Sequence, residues 1–255
     1  MHKEYARFVV DWVPGAGTAL ARFGRHWTGW CADLGRPAAQ DGRLAALRTQ
    51  AHSDRVLGLR GLHAPLTPVF ELRAGTNVRT LSDALAEVAN TVPPVMMAPA
   101  RPMVFEGRVE LRPSGPSEEV GQLLAELSTV LARFAGRIGT PSSTRFAIPL
   151  SAVIGQIRGY ALAEALAPWL TDMRWDAADL GEIALKGAPV RGGWRVIERF
   201  RLTGPERRDC GCHPLACEGT PLLYHRVLDE AEGSYTPEQT HDQLHDQSPD
   251  GLTAG

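Results

Sequence analysis

Two six-residue segments of the chain share one pattern, 84 positions apart (63 to 147). Leu62-His63-Ala64-Pro65-Leu66-Thr67 is matched by Phe146-Ala147-Ile148-Pro149-Leu150-Ser151. Each opens on an apolar residue, reaches Pro-Leu at its fourth and fifth positions and closes on a hydroxyl. Each lies in a strand-like stretch and is followed by a helix and a further strand. A repeat of this kind constrains the chain to a duplicated, two-lobed architecture. Side chains alternate along a strand, so His63, Pro65 and Thr67 share one face. Ala147, Pro149 and Ser151 share the equivalent face of the second segment. Proline removes a ladder hydrogen bond. Its recurrence at the same place implies that the strands flare there, or that the surface they line has been rebuilt.

The rest of the chain alternates strands with helices. Tyr5 to Trp12 alternates like a strand, and Pro14 to Gly17 breaks it. Leu20, Phe23, Trp27, Trp30 and Cys31 recur at helical spacing, and Arg36 to Asp54 reads as loop with a short helix. Leu57 to Leu72 contains the second strand. Leu81, Leu85, Val88 and Val92 mark a helix with Thr80 and Asp83 as its capping pair. Val104 to Leu111 alternates as one strand. Ser117, Glu118 and Glu119 open a long helix whose stripe runs from Val120 to Phe134, with Gly136 as its stop. A strand over Arg145 to Ile154, a short helix over Ala161 to Leu166 stopped near Pro168, and strands over Leu180 to Leu185 and Trp194 to Leu202 complete the order. The element order is that of an α+β or α/β domain with sheets covered on one side. The domain occupies residues 1–204; residues 205–255, rich in Pro, Gly, Asp, Glu and Gln, read as an irregular segment.

Composition narrows the function classes. Hydrophobic residues make up 44% and charged residues 22% of 255, as in an ordinary globular protein. The net charge of −2 offers no global attraction to nucleic acid or an anionic membrane. No apolar run is long enough to span a bilayer, and the opening has no signal-peptide pattern, so a cytoplasmic protein is expected. No phosphate-cradling or dinucleotide glycine motif is present, so no cofactor is expected. Cys210, Cys212, His213 and Cys217 offer four soft ligands, but their spacing departs from the paired Cys-x₂-Cys of zinc sites. Free thiols are the preferred reading, and no metal site is assigned. His241 and His245 are read as part of a charged irregular end.

The duplicated motif and the opening YARFVVDWVPGAGTALARFGRHW resemble the two-histidine phosphoesterase superfamily. The nearest likeness is to a bacterial family of unknown function associated with phosphonate-metabolism genes. RGLHAPLTPVFEL resembles its first histidine motif, RFAIPLS its second, and EIALKGAPVRGGWRVIERFRL the C-terminal strand pair of 2′-5′ RNA-ligase-like relatives. The resemblance spans residues 5 to 204. It implies an α+β fold of two pseudo-symmetric lobes with antiparallel sheets facing a cleft and helices outside; in the cleft two histidines act as general base and general acid on one phosphodiester, while two hydroxyls hold phosphate oxygens. His63 matches the first histidine. Pro65 stands at the first hydroxyl, Ala147 at the second histidine and Pro149 at the second hydroxyl. Alanine transfers no proton, and proline has neither hydroxyl nor N–H.

The candidate site is therefore His63 as the catalytic residue, with Thr67, Arg145 and Ser151 as substrate-binding residues. Thr67 and Ser151 stand two positions beyond the lost hydroxyls, and Arg145 shares a face with Ala147. A solvated strand-end arginine explains Arg145 equally. Arg195, Arg199 and Arg201 are expected on one face of the last strand, as cleft lining or as a solvated basic face. Three readings stay open. The first is a protein that binds a phosphorylated small molecule, nucleotide or RNA end with impaired hydrolysis. The second is a divergent phosphodiesterase using His63 with substitute partners. The third is a non-catalytic interaction protein. Oligomeric state and pathway are not legible.

Overall fold

A computed structural model describes residues 4–39, 41–51, 59–95, 101–112, 118–139, 146–171 and 180–205. All of them fall in the first of two compact units, Met1–Arg207. The polypeptide between 206 and 255, with its cysteine and histidine clusters, lies outside the described residues.

Strands alternate with helices along the chain. The strands are β1 (Arg7–Trp12), β2 (Trp30–Cys31), β3 (Arg36–Pro37), β4 (Ala64–Pro65), β5 (Phe70–Leu72), β6 (Arg101–Phe105), β7 (Arg108–Arg112), β8 (Ala135–Ile138), β9 (Ile148–Pro149), β10 (Glu182–Ala188) and β11 (Arg195–Arg201). The helices are α1 (Ala19–Thr28), α2 (Gly42–Gln50), α3 (Val78–Thr91), α4 (Glu118–Phe134) and α5 (Gln156–Thr171). A six-stranded sheet runs β11-β10-β1-β5-β8, with β4 also on β1, and a three-stranded sheet runs β6-β7-β9. Every pairing between the named strands is antiparallel. The fold is α+β, as the resemblance implies.

The duplication is visible in the pairing. In the first lobe β1 is flanked by β10 and by the motif strand β4; in the second β7 is flanked by β6 and by the motif strand β9. Helix α3 packs on β10 and β11, and α5 packs on β6 and β7. One face of each sheet is apolar and closes on its helices: Phe8, Val10, Trp12, Ile183 and Leu185 in the first lobe, Val109 and Leu111 in the second. The two motifs sit side by side. Trp12 packs edge-on against Phe146 with centroids 5.9 Å apart, and Trp27 Nε1 donates to Leu150 O at 3.0 Å.

Several boundaries differ from the sequence reading for local reasons. Val104 to Leu111 is a hairpin rather than one strand, because Glu106 (φ 48°) and Gly107 (φ 75°) turn the chain in the left-handed region. Asn77, not the Thr80–Asp83 pair, caps α3: its side chain accepts from Thr80 N at 3.0 Å. Gly136 does not follow a stop into loop; β8 begins directly after α4. Pro168 lies inside α5 rather than ending it. The proposed cap Ser117 lies outside the described residues.

Candidate functional site

Both motif strands last only two residues, and the hydrogen bonds explain why. Proline supplies no N–H, and beyond Pro65 the amides of Leu66 and Thr67 both donate to Val10 O at 3.1 Å. The Thr67 hydroxyl then accepts from Val10 N at 2.9 Å. The second lobe repeats this arrangement. Leu150 N and Ser151 N donate to Val109 O at 2.8 and 3.2 Å, and Ser151 Oγ accepts from Val109 N at 2.8 Å. The strand flares after the proline, and a hydroxyl replaces the missing ladder acceptor.

Thr67 and Ser151 both engage the strand backbone through their hydroxyls. Both are buried. Ser151 Oγ also donates to Ala152 O at 2.8 Å, and the Thr67 hydroxyl faces Val10 O at 3.5 Å. The Ser151 proton is spent on backbone, and the Thr67 oxygen is occupied by the Val10 amide. Thr67→Val and Ser151→Ala should each cost about 1–3 kcal/mol, because each leaves a buried amide unsatisfied. Chemical denaturation of the two variants checks this, and a neutral result at both would show that the hydroxyls are spare.

Opposite each proline stands a buried carboxylate: Asp11 pairs with Pro65, and Glu110 with Pro149. Neither was among the sequence candidates, although both sit on the same strand face as their motif. Asp11 is wholly buried between two cations. Arg60 NH2 lies 2.7 Å from Oδ1, Arg60 Nε 3.2 Å from Oδ2, and Lys186 Nζ 3.1 Å from Oδ2. Lys186 Nζ also donates to Arg60 O at 2.6 Å. Lys186 is one of only two lysines in the chain. Its compact ammonium reaches carboxylate and carbonyl together inside a closed site.

Burial alone would push the Asp11 carboxyl up, but the Arg60 and Lys186 charges hold it down at about 2. Burial drives the Lys186 ammonium down to about 8 despite Asp11. His63 is buried in the same cluster. Desolvation first, and then the Arg60 charge, lower its imidazole to about 3 against the opposing pull of Asp11. His63 Nδ1 lies 2.7 Å from Gly61 O. A carbonyl only accepts, so Nδ1 carries the proton and Nε2 presents a lone pair. Nε2 has no hydrogen-bond partner among the described residues. At neutral pH His63 is thus a neutral acceptor, not an acid.

The rim of this cluster is formed by arginine on tryptophan. The Arg60 and Arg7 guanidiniums lie 5.3 and 5.7 Å from the centroid of buried Trp194. Arg7 is exposed, and the Arg60 side chain is 12% exposed. Arg7, Val9 and Asp11 alternate onto one face of β1, so the rim and the buried cluster share it.

Other expected residues fall elsewhere. Ala147 is buried beside β9, where the sequence resemblance implies a second histidine. Arg145 lies outside the described residues. Arg195, Arg199 and Arg201 do not share a face. A bulge between Leu185 and Lys186 leaves Arg195 opposite Gly187 but Arg199 opposite Ala184, which reverses the alternation. Arg199 is bound by two carboxylates, Asp33 (2.6 Å) and Glu182, so it offers no free positive charge. Among the described residues no three His, Cys, Asp or Glu side chains come together to hold a metal ion, and no helix is long and apolar enough to cross a membrane.

No family model matches the sequence, and no curated protein matches it either. Solved structures with a similar chain path include E. coli LigT complexed with 3′-AMP, at 16% identity and a TM-score of 0.41, over 78% of this chain and 99% of that one. A crystal structure described as a phosphoesterase follows at 17% identity and a TM-score of 0.38, over 78% and 99%. Kluyveromyces marxianus Usb1 with uridine monophosphate has 10% identity and a TM-score of 0.32, over 78% and 98%.

Proposed function

We propose that this chain binds a phosphoryl group of a small phosphorylated molecule or nucleotide on the sheet face around His63, and that phosphodiester hydrolysis is impaired. One observation carries the reading: Arg60 and Lys186 share the single buried carboxylate of Asp11. The cluster of Arg60, Lys186 and Asp11 keeps one uncompensated positive charge beside a neutral imidazole, and Arg7 adds a second at the rim. Arginine is permanently charged and its fork matches phosphate oxygens. Arg7 and the exposed edge of Arg60 make the contacts, while Lys186 contributes through its field. The ligand site belongs to residues 1–204, with 205–255 as an appended segment.

Impaired hydrolysis follows from the proton inventory. The two-histidine scheme needs one group to take a proton and another to give one. His63 Nε2 can accept, but the Ala147 methyl can give nothing. General acid–base help is worth about 10²–10⁴-fold in rate. Turnover of 2′,3′-cyclic nucleotides is expected at the buffer rate, unchanged in His63→Ala. Robust turnover abolished in that variant would instead establish the divergent-phosphodiesterase reading, which the open Nε2 lone pair favours.

Binding is tested by melting the protein with phosphate, mononucleotides, phosphonate-derived phosphoesters and a 3′-phosphorylated RNA end, against chloride at equal ionic strength. The resemblance of the opening and first motif to the phosphonate-associated family puts the phosphoesters first in this screen. A ligand at 100 times its dissociation constant should stabilise by about 2.7 kcal/mol. Arg7→Gln, an exposed substitution, should weaken binding about 10-fold or more, the worth of one charge-assisted contact. Absence of stabilisation by every phosphorylated ligand would leave the interaction-protein reading ahead.

A further inference from the structure

The second lobe repeats the charge arrangement of the first. Arg108, Glu110 and Arg112 alternate on β7 onto the face opposite the core residues Val109 and Leu111. Glu110 stands across from Pro149 as Asp11 stands across from Pro65. Glu110 is buried and is flanked by two arginines. Arg112 Nε and NH2 both lie 3.1 Å from Oε2, and Arg108 Nε lies 4.0 Å from Oε1. Again two cations share one buried carboxylate.

The two arginines are not equally satisfied. Arg112 is held by Glu110 and by the Phe105 ring, 3.8 Å from its guanidinium carbon. The Arg108 side chain is 40% exposed, yet its Nε is buried and has no hydrogen-bond partner among the described residues. That Nε is enclosed beside Glu110; the terminal nitrogens of the part-exposed side chain make no hydrogen bond among the described residues and are the donors that an anion oxygen meets. Ala147 and Pro149 lie on the same face, so the position where the resemblance implies a second histidine carries no competing polar group.

We infer that Arg108 and Arg112 form a second anion subsite, so that the ligand is a small molecule carrying two phosphoryl groups, one for each lobe. This rests on the phosphoryl-binding reading of the first lobe. A ligand that engages one subsite presents its second group at high effective concentration to the other, which multiplies affinity.

The test uses the whole protein with inorganic phosphate, pyrophosphate, adenosine 5′-monophosphate and adenosine 3′,5′-bisphosphate, followed by calorimetry. At least one doubly phosphorylated probe is expected to bind 10-fold or more tighter than its singly phosphorylated counterpart. Arg108→Met should abolish most of that preference for the doubly phosphorylated probe; Arg7→Gln should weaken both. In the wild-type protein, the Arg108 Nε–H resonance, identified by its loss in Arg108→Lys, should move when the doubly phosphorylated probe is added. Equal affinity for singly and doubly phosphorylated probes, a preference that survives Arg108→Met, or an unmoved Arg108 resonance overturns the second subsite and leaves the first standing. Failure of every probe to bind overturns both.

Discussion

Replacing Asp11 with alanine is expected to lower the unfolding free energy by about 3–5 kcal/mol, the cost of leaving a buried charge without its partner. The effect is at the top of that range because two cations, not one, lose their counter-charge. Lys186 is wholly buried and cannot turn to solvent, and Arg60 is 12% exposed. Combining Asp11→Leu with Lys186→Met should recover part of the loss, since it removes the enclosed ammonium together with the carboxylate. Urea unfolding of the single and double variants measures this. A loss below about 1 kcal/mol in the single variant would mean that the cluster is solvated.

The second large effect is acid sensitivity. The folded state holds His63 at about 3, below its ordinary 6.5, so the unfolded chain binds more protons between those values. Stability therefore falls as pH drops below 6.5, by about 1.4 kcal/mol per pH unit for one group. Asp11, held at about 2 instead of 3.8, contributes stability above 3.8 that is lost as pH falls from there toward 2. Lys186 acts at the other end: lowered from 10.5 to about 8, it makes stability rise between those values. Melts at constant ionic strength should lose about 2–3 kcal/mol between pH 6.5 and 4.5, and His63→Leu should flatten that limb. The slope is the readout, since the substitution also removes the contact to Gly61. A limb equally steep in the variant would place the titrating group elsewhere. Phosphate binding should raise the His63 value, because a nearby anion favours imidazolium.

The duplication was legible in the sequence because a repeated Pro-Leu-hydroxyl signature survives without any three-dimensional information. So were the α+β class and most element positions, since burial on one face imposes periods of two or 3.6 on apolar residues. Leu123, Leu127, Val130 and Leu131 are buried along α4 as their spacing requires. Local geometry that hangs on single residues was harder to read. Alternation passed unbroken through Glu106 and Gly107, so the β6–β7 hairpin was hidden inside one apparent strand. The helical bonding of α5 continues past Pro168, and the β11 bulge reverses which arginines share a face.

The chemistry of the site was decided by tertiary structure. Sequence position told that Thr67 and Ser151 share faces with His63 and Ala147, but not that each hydroxyl is consumed by a strand amide from a segment 57 or 42 residues away. It offered no reason to join Asp11, Arg60 and Lys186, which lie on three separate segments and meet only when β1 pairs with β10. Nor could it set the His63 imidazole near 3, because that value is made by burial and by the charge of Arg60, neither of which is a property of the motif. Residue identity and periodicity determined what the chain can fold into. Which charges are enclosed together, and which hydrogen bonds remain to be made, follow only from strand pairings between distant segments.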